Sequence, residues 1–153
     1  VILHMIAAQI EIGVVQADEL ARARLALDGG GAEFHVEQGG LQVVHMDLGG
    51  RVDHELVNIR LAYKYPNIVR LIGEKNIVYV VKEGEYTFDK KKRQFISFFT
   101  DSQARITLEG FKYAIAHRDI FYTDTYTVSN EVEASQARLI VEKGTVCIIE
   151  SSD

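Results

Sequence analysis

The chain has 153 residues, a formal net charge of −5, 47% apolar residues and 25% charged residues. That size suits a single domain with a sizeable core, and the acidity argues against nucleic acid or an anionic membrane surface as partner. No apolar run approaches the roughly 18–20 residues that cross a bilayer, and the lone cysteine, Cys147, excludes an internal disulfide and favours a reducing, cytoplasmic setting.

In chain order, Val1–His4 precede Met5 and lack the basic flank of a signal peptide. Met5–Val15 has strand character. Asp18 suits the N-cap of a short helix over residues 18–28, with Leu20, Ala23 and Leu27 on one stripe and Gly29-Gly30-Gly31 as its stop.

A six-residue phrase then occurs twice: His35-Val36-Glu37-Gln38-Gly39-Gly40 and His45-Met46-Asp47-Leu48-Gly49-Gly50. Each copy reads as a strand followed by a glycine reversal. A loop at Gly39–Leu41 predicts that His35 pairs with His45 and Val36 with Val44. A tight turn at Gly49-Gly50 predicts that His45 pairs with His54. The outcome is a row of three histidines on adjacent strands, His35, His45 and His54, with Glu37 and Asp47 beside it. Imidazoles at such spacing are zinc ligands in a tetrahedral site, with a carboxylate or water as the fourth. The row is therefore the candidate metal site, with a divalent metal such as zinc as the one cofactor it suggests.

Beyond residue 56 the period is close to two. Val57, Ile59, Leu61, Tyr63 and Tyr65 alternate with polar residues and predict a half-buried strand. Ile77–Lys82 predicts a more buried strand. Lys90-Lys91-Lys92-Arg93 reads as a solvated hairpin tip between Tyr86–Asp89 and Gln94–Phe99. Strands follow at Ala104–Leu108, Phe111–Ile115 and Ile120–Val128, with His117-Arg118-Asp119 as a turn or bulge. Lys143-Gly144 reads as a hairpin turn before Val146–Ile149. Tyr113, Tyr122 and Tyr126 are the candidate ligand-binding residues, placed where barrel interiors line cavities. Cys147 reads as a small buried apolar side chain.

Composition changes near residue 62. Residues 1–62 hold four basic and nine acidic groups, whereas all eight lysines and all seven tyrosines lie later. A subdomain boundary would explain this, within a single domain spanning 1–153.

The predicted fold is mainly β: an antiparallel β-barrel or two-sheet sandwich of about ten or more strands, with one short helix near the N-terminus. No phosphate loop, paired-cysteine motif or nucleophile elbow is present. The functional expectation is a soluble, non-catalytic binding module for a small molecule or a protein partner. The alternatives are a metal-dependent hydrolase or isomerase built on the histidine row, and a structural subunit of a homo-oligomer.

Overall fold

The computed structural model describes residues 33–36, 42–45, 51–92 and 94–153, the first two stretches by their backbone. Two sheets dominate it. A six-stranded sheet has the order β1-β2-β3-β4-β10-β6, and a four-stranded sheet the order β5-β9-β7-β8. Their strands are β1 (Glu33–Val36), β2 (Gln42–His45), β3 (Val69–Ile72), β4 (Asn76–Val81), β5 (Gly84–Asp89), β6 (Gln94–Phe99), β7 (Gln103–Glu109), β8 (Ile115–Phe121), β9 (Gln136–Lys143) and β10 (Val146–Ser152). The helix α1 spans Val52–Lys64.

The period-two pattern of β4 and β10 explains the layering. On β4, Val78 and Val80 face α1, while Tyr79 and Val81 face the other sheet; on β10, Cys147 and Ile149 face α1, while Val146 and Ile148 face away. Both strands are apolar on both faces because both faces are covered. The core between the sheets centres on Phe88, Phe98 and Phe111, with ring centroids 5.5–6.3 Å apart in tilted or edge-on contact. The mainly-β expectation holds, as an open two-sheet arrangement and not a closed barrel. Among the described residues, no helix is long and apolar enough to cross a membrane.

The segment predicted as a strand from Val57 is the helix α1. Its apolar residues alternate, but the buried positions are Asn58, Ala62 and Tyr65, with Ile59, Leu61 and Tyr63 partly buried. That i, i+3, i+4, i+7 spacing is helical. Small Ala62, fully buried, lets the helix approach β3 and β4 closely. Asp53 and Glu55 occupy its first turn, where carboxylates suit the positive end of the helix dipole.

The helix also changes the topology. β2 and β3 pair in parallel, Gln42 with Val69 through His45 with Ile72. Parallel neighbours need a crossover, and α1 supplies it. The predicted strand pairing of His45 with His54 is therefore not formed. Nor do His35 and His45 pair: His35 stands opposite Val43, and His45 opposite Glu33. The register lies two residues from the expected one. The helix expected over residues 18–28 lies outside the described residues, as do Glu37 and Asp47.

Two expected hairpins are sheet-to-sheet links. β5 and β6 flank Lys90–Lys92 but belong to different sheets, as do β9 and β10 around Gly144. In each, the chain leaves one sheet and enters the opposite layer. The run Ile120–Val128 is not one strand either. β8 ends at Phe121 and a turn follows, closed by Asp124 N–H to Phe121 O at 2.9 Å.

Candidate ligand-binding surface at the open side of the sandwich

The segment after β8 leaves the four-stranded sheet and crosses to β6, the edge of the six-stranded one. Phe98 N–H donates to Thr127 O at 2.8 Å, and the Thr127 hydroxyl donates back to Phe98 O. Ile96 and Asn130 exchange both backbone hydrogen bonds, at 2.8 and 2.9 Å. The segment thus covers an edge that would otherwise expose unpaired donors and acceptors.

Asn130 organises the crossing. It is buried, and its carboxamide Oδ1 accepts from the backbone N–H groups of Tyr113 and Glu131, each at 3.0 Å. Its Nδ2 donates to Tyr113 O at 2.9 Å. One side chain thereby ties residues 130–131 to residue 113. Beside it Ser129 has φ 53°, and its N–H donates to Ser97 Oγ at 3.0 Å. A left-handed non-glycine backbone costs about 1–3 kcal/mol and persists only where its surroundings hold it. Such positions cluster at ligand clamps.

Exposed tyrosines lie along this segment: Tyr113 bonds Asn130 and Tyr126 adjoins Thr127, while Tyr122 lies at the other end of β8, where its N–H donates to Ser102 O. Tyr113, Tyr122 and Tyr126 are 59%, 72% and 50% exposed, and Val128 is exposed as well. Lys112 Nζ lies 5.6 Å from the Tyr113 ring centroid, and the Arg118 guanidinium 5.5 Å from that of Tyr126. Lys112 also pairs with Glu131 at 2.8 Å, which raises its pKa above the usual lysine value. The three tyrosines singled out from sequence therefore line no interior. Phenylalanines, which need no hydrogen-bond partner, fill the space between the sheets, and the tyrosines stand at its outer rim. Sequence reading missed Ser129 and Asn130 because their stretch is rich in strand-forming residues. The Ser-Asn pair was the available signal, since asparagine and serine bond local backbone and mark turns.

The remaining candidates are placed as follows. His54 sits in the first turn of α1, next to the exposed Arg51–Asp53 ion pair. The Arg51 guanidinium holds the Asp53 carboxyl below the usual range. Among the described residues no cluster of three or more His, Cys, Asp or Glu side chains forms that could hold a metal ion. His117 lies in β8 with φ 49°, at a register shift between β7 and β8. The bulge expected there is present, but Asp119 bonds Arg105 at 3.2 Å instead of local backbone. His117 Nδ1 lies 2.7 Å from Glu142 Oε1, to which the buried Thr107 hydroxyl also donates at 2.7 Å. Those contacts, Thr107 foremost, hold the Glu142 pKa below the usual value. Between α1 and its sheet, Cys147 is buried and its thiol is pushed up to about 12 by burial, so it is no nucleophile at neutral pH. Glu150, also buried, accepts from the Tyr79 hydroxyl and Gln94 Nε2, each at 2.7 Å, and pairs with Arg70. That group joins β3, β4, β6 and β10 across the sheet.

Residues 83–146 match the family model described as the thiamin pyrophosphokinase vitamin B1 binding domain. The chain is 38% identical over 111 residues to a thiamine pyrophosphokinase of Bacillus subtilis, covering 69% of this chain and 52% of the relative. It therefore spans about half of that relative's length. The crystal structure of thiamine pyrophosphokinase from Bacillus subtilis aligns with TM-score 0.72 and 33% identity over 88% of this chain and 62% of that one. The enzyme from Geobacillus thermodenitrificans aligns with TM-score 0.65 and 29% identity over 71% of this chain and 53% of that one. These relatives are kinases by name, so the expectation of a non-catalytic binding module is overturned. The histidine-row hydrolase or isomerase gains no support from them either. The chain is similar through its β-rich portion to thiamine pyrophosphokinases, and the latch, the tyrosine rim and the strained Ser129 all fall inside the segment that matches their vitamin B1 binding domain.

Proposed function

We propose that this chain carries the thiamin-binding sandwich of a thiamine pyrophosphokinase and that thiamin docks on the rim formed by Tyr113, Tyr126 and Ser129. The match over residues 83–146 carries the reading. The rim suits the ligand chemically. Thiamin joins a flat aminopyrimidine to a cationic thiazolium, and exposed tyrosine faces attract cations and stack on flat rings. Ser129 and the tyrosine hydroxyls add hydrogen-bonding groups. Asn130 does not itself need to touch the ligand; it fixes the backbone from which these groups project.

In this reading the sandwich binds the vitamin and orients its hydroxyl, the acceptor of the diphosphoryl group. Holding an acceptor in place lowers the entropic part of the barrier to transfer. The chain has no tryptophan and seven tyrosines, so its emission comes from tyrosine, and the part lost in Tyr126→Ala isolates the rim. Thiamin is expected to quench that emission saturably, and Tyr126→Ala to weaken binding about tenfold with the fold intact. The protein is expected to convert thiamin and a nucleoside triphosphate to thiamin diphosphate and a nucleoside monophosphate. Absence of saturable thiamin binding up to millimolar concentration, together with absence of turnover, would refute the reading.

A further inference from the structure

Arg118 occupies an unusual position. It stands opposite Ile106, a fully buried core residue, on β8, an edge strand of the four-stranded sheet. A guanidinium on the core-side phase cannot stay in the apolar layer, so the side chain leaves over the sheet rim, where Arg118 is exposed. There it lies against the ring of Tyr126, 5.5 Å from the centroid.

The neighbouring carboxylates are engaged elsewhere. Asp119 pairs with Arg105, Glu131 with Lys112, and Glu142 with His117 and Thr107, while Asp124 accepts the Phe121 N–H. Among the described residues Arg118 makes no ion pair. Arg51, Arg70, Arg105 and Arg138 do, while Arg60 on α1 makes none either. Arg118 is thus a guanidinium steadied by an aromatic face, with its donors turned to solvent at the rim proposed for the vitamin.

We propose that Arg118 is a phosphate-reading residue of this site, binding the diphosphoryl group of a phosphorylated ring compound and not the unphosphorylated vitamin. The proposal rests on the thiamin reading of the rim. The planar guanidinium fork matches phosphate oxygens in paired hydrogen bonds. It repels a cationic thiazolium and attracts the diphosphate of the product. The same chemistry would serve the phosphates of an incoming nucleotide, so the two sources are separated by experiment.

Binding of thiamin, thiamin diphosphate, inorganic diphosphate and ATP is measured calorimetrically on the protein and on Arg118→Met and Arg118→Lys, with melting curves to confirm folding. Arg118→Met is expected to weaken thiamin diphosphate and inorganic diphosphate at least tenfold and to leave thiamin within about twofold. Arg118→Lys, a point charge without the fork, should fall between. A tenfold loss for ATP alone assigns Arg118 to the nucleotide and overturns the product reading. Unchanged diphosphate binding in Arg118→Met, equal losses for thiamin and its diphosphate, or no binding of either diphosphate by the parent protein also overturns it. If the parent binds inorganic diphosphate through Arg118 but no thiamin, the proposed function falls while the anion site stands.

Discussion

At the residue scale, the side chains that matter most here are small polar ones. Asn130 is one carboxamide making three hydrogen bonds in a buried place. Removing it strands two backbone donors and one acceptor, and each buried polar group left unpaired costs about 1–3 kcal/mol. Asn130→Ala is therefore expected to destabilise the protein by about 2–4 kcal/mol, read from denaturant unfolding. Asn130→Asp removes only the donor to Tyr113 O and sets a carboxylate against that carbonyl; it should weaken thiamin binding at temperatures where the fold survives.

Thr107 makes a second residue-scale case. Its hydroxyl is the leading cause of the low Glu142 pKa. A carboxylate whose pKa is depressed by folding adds stability that is present above its unfolded pKa. That stability is lost as pH falls through the lower folded pKa. In Thr107→Val the depression shrinks, so Glu142 should titrate at higher pH in a carboxyl NMR titration, and the acid-side loss of stability should flatten. An unmoved Glu142 titration would show that Thr107 does not set it.

At the element scale, the links between sheets carry the architecture. Gly144 joins β9 of one sheet to β10 of the other with φ 85°. A Cβ there would lie 2.5 Å from the backbone oxygen of Gln103, the first residue of β7. Rigid backbone cannot yield as a side-chain end would. Gly144→Ala is expected to cost at least ~2 kcal/mol, from the left-handed backbone and the clash together; a melting temperature unchanged within a degree would contradict this. The residue pair Lys143-Gly144 was legible from sequence as a reversal, and so were β6 with its bounds and the greater part of β4, β5 and β10. Which sheet each strand joins was not. A tight turn has the same local chemistry whether the next strand pairs with the last one or folds over it.

The error at α1 has a similar origin. Val57, Ile59 and Leu61 satisfy a period of two, while Asn58 and Ala62 define the buried helical stripe. One of those two is polar and the other small, so hydrophobicity alone hides the stripe. Val57, at the start of that alternation, is exposed.

At the scale of the whole molecule, a helix, a mixed sheet and a second sheet stack so that β4 and β10 are covered on both faces. At the edge strand β6, the segment after β8 crosses over from the four-stranded sheet and pairs with Ile96 and Phe98. The charge asymmetry read near residue 62 falls within α1, the crossover between β2 and β3. Much of the strand content, the buried character of Cys147 and the bulge at His117 were determined by local pattern, because burial and turn chemistry act on neighbours along the chain. The parallel pairing of β2 and β3, the loss of the histidine row, the latch from Asn130 to Tyr113 and the placement of Arg118 on Tyr126 were decided only in three dimensions. Each depends on partners brought together across the fold by sheet order, and sheet order follows from which apolar faces can be covered at once, a property of the assembled layers and of no single segment.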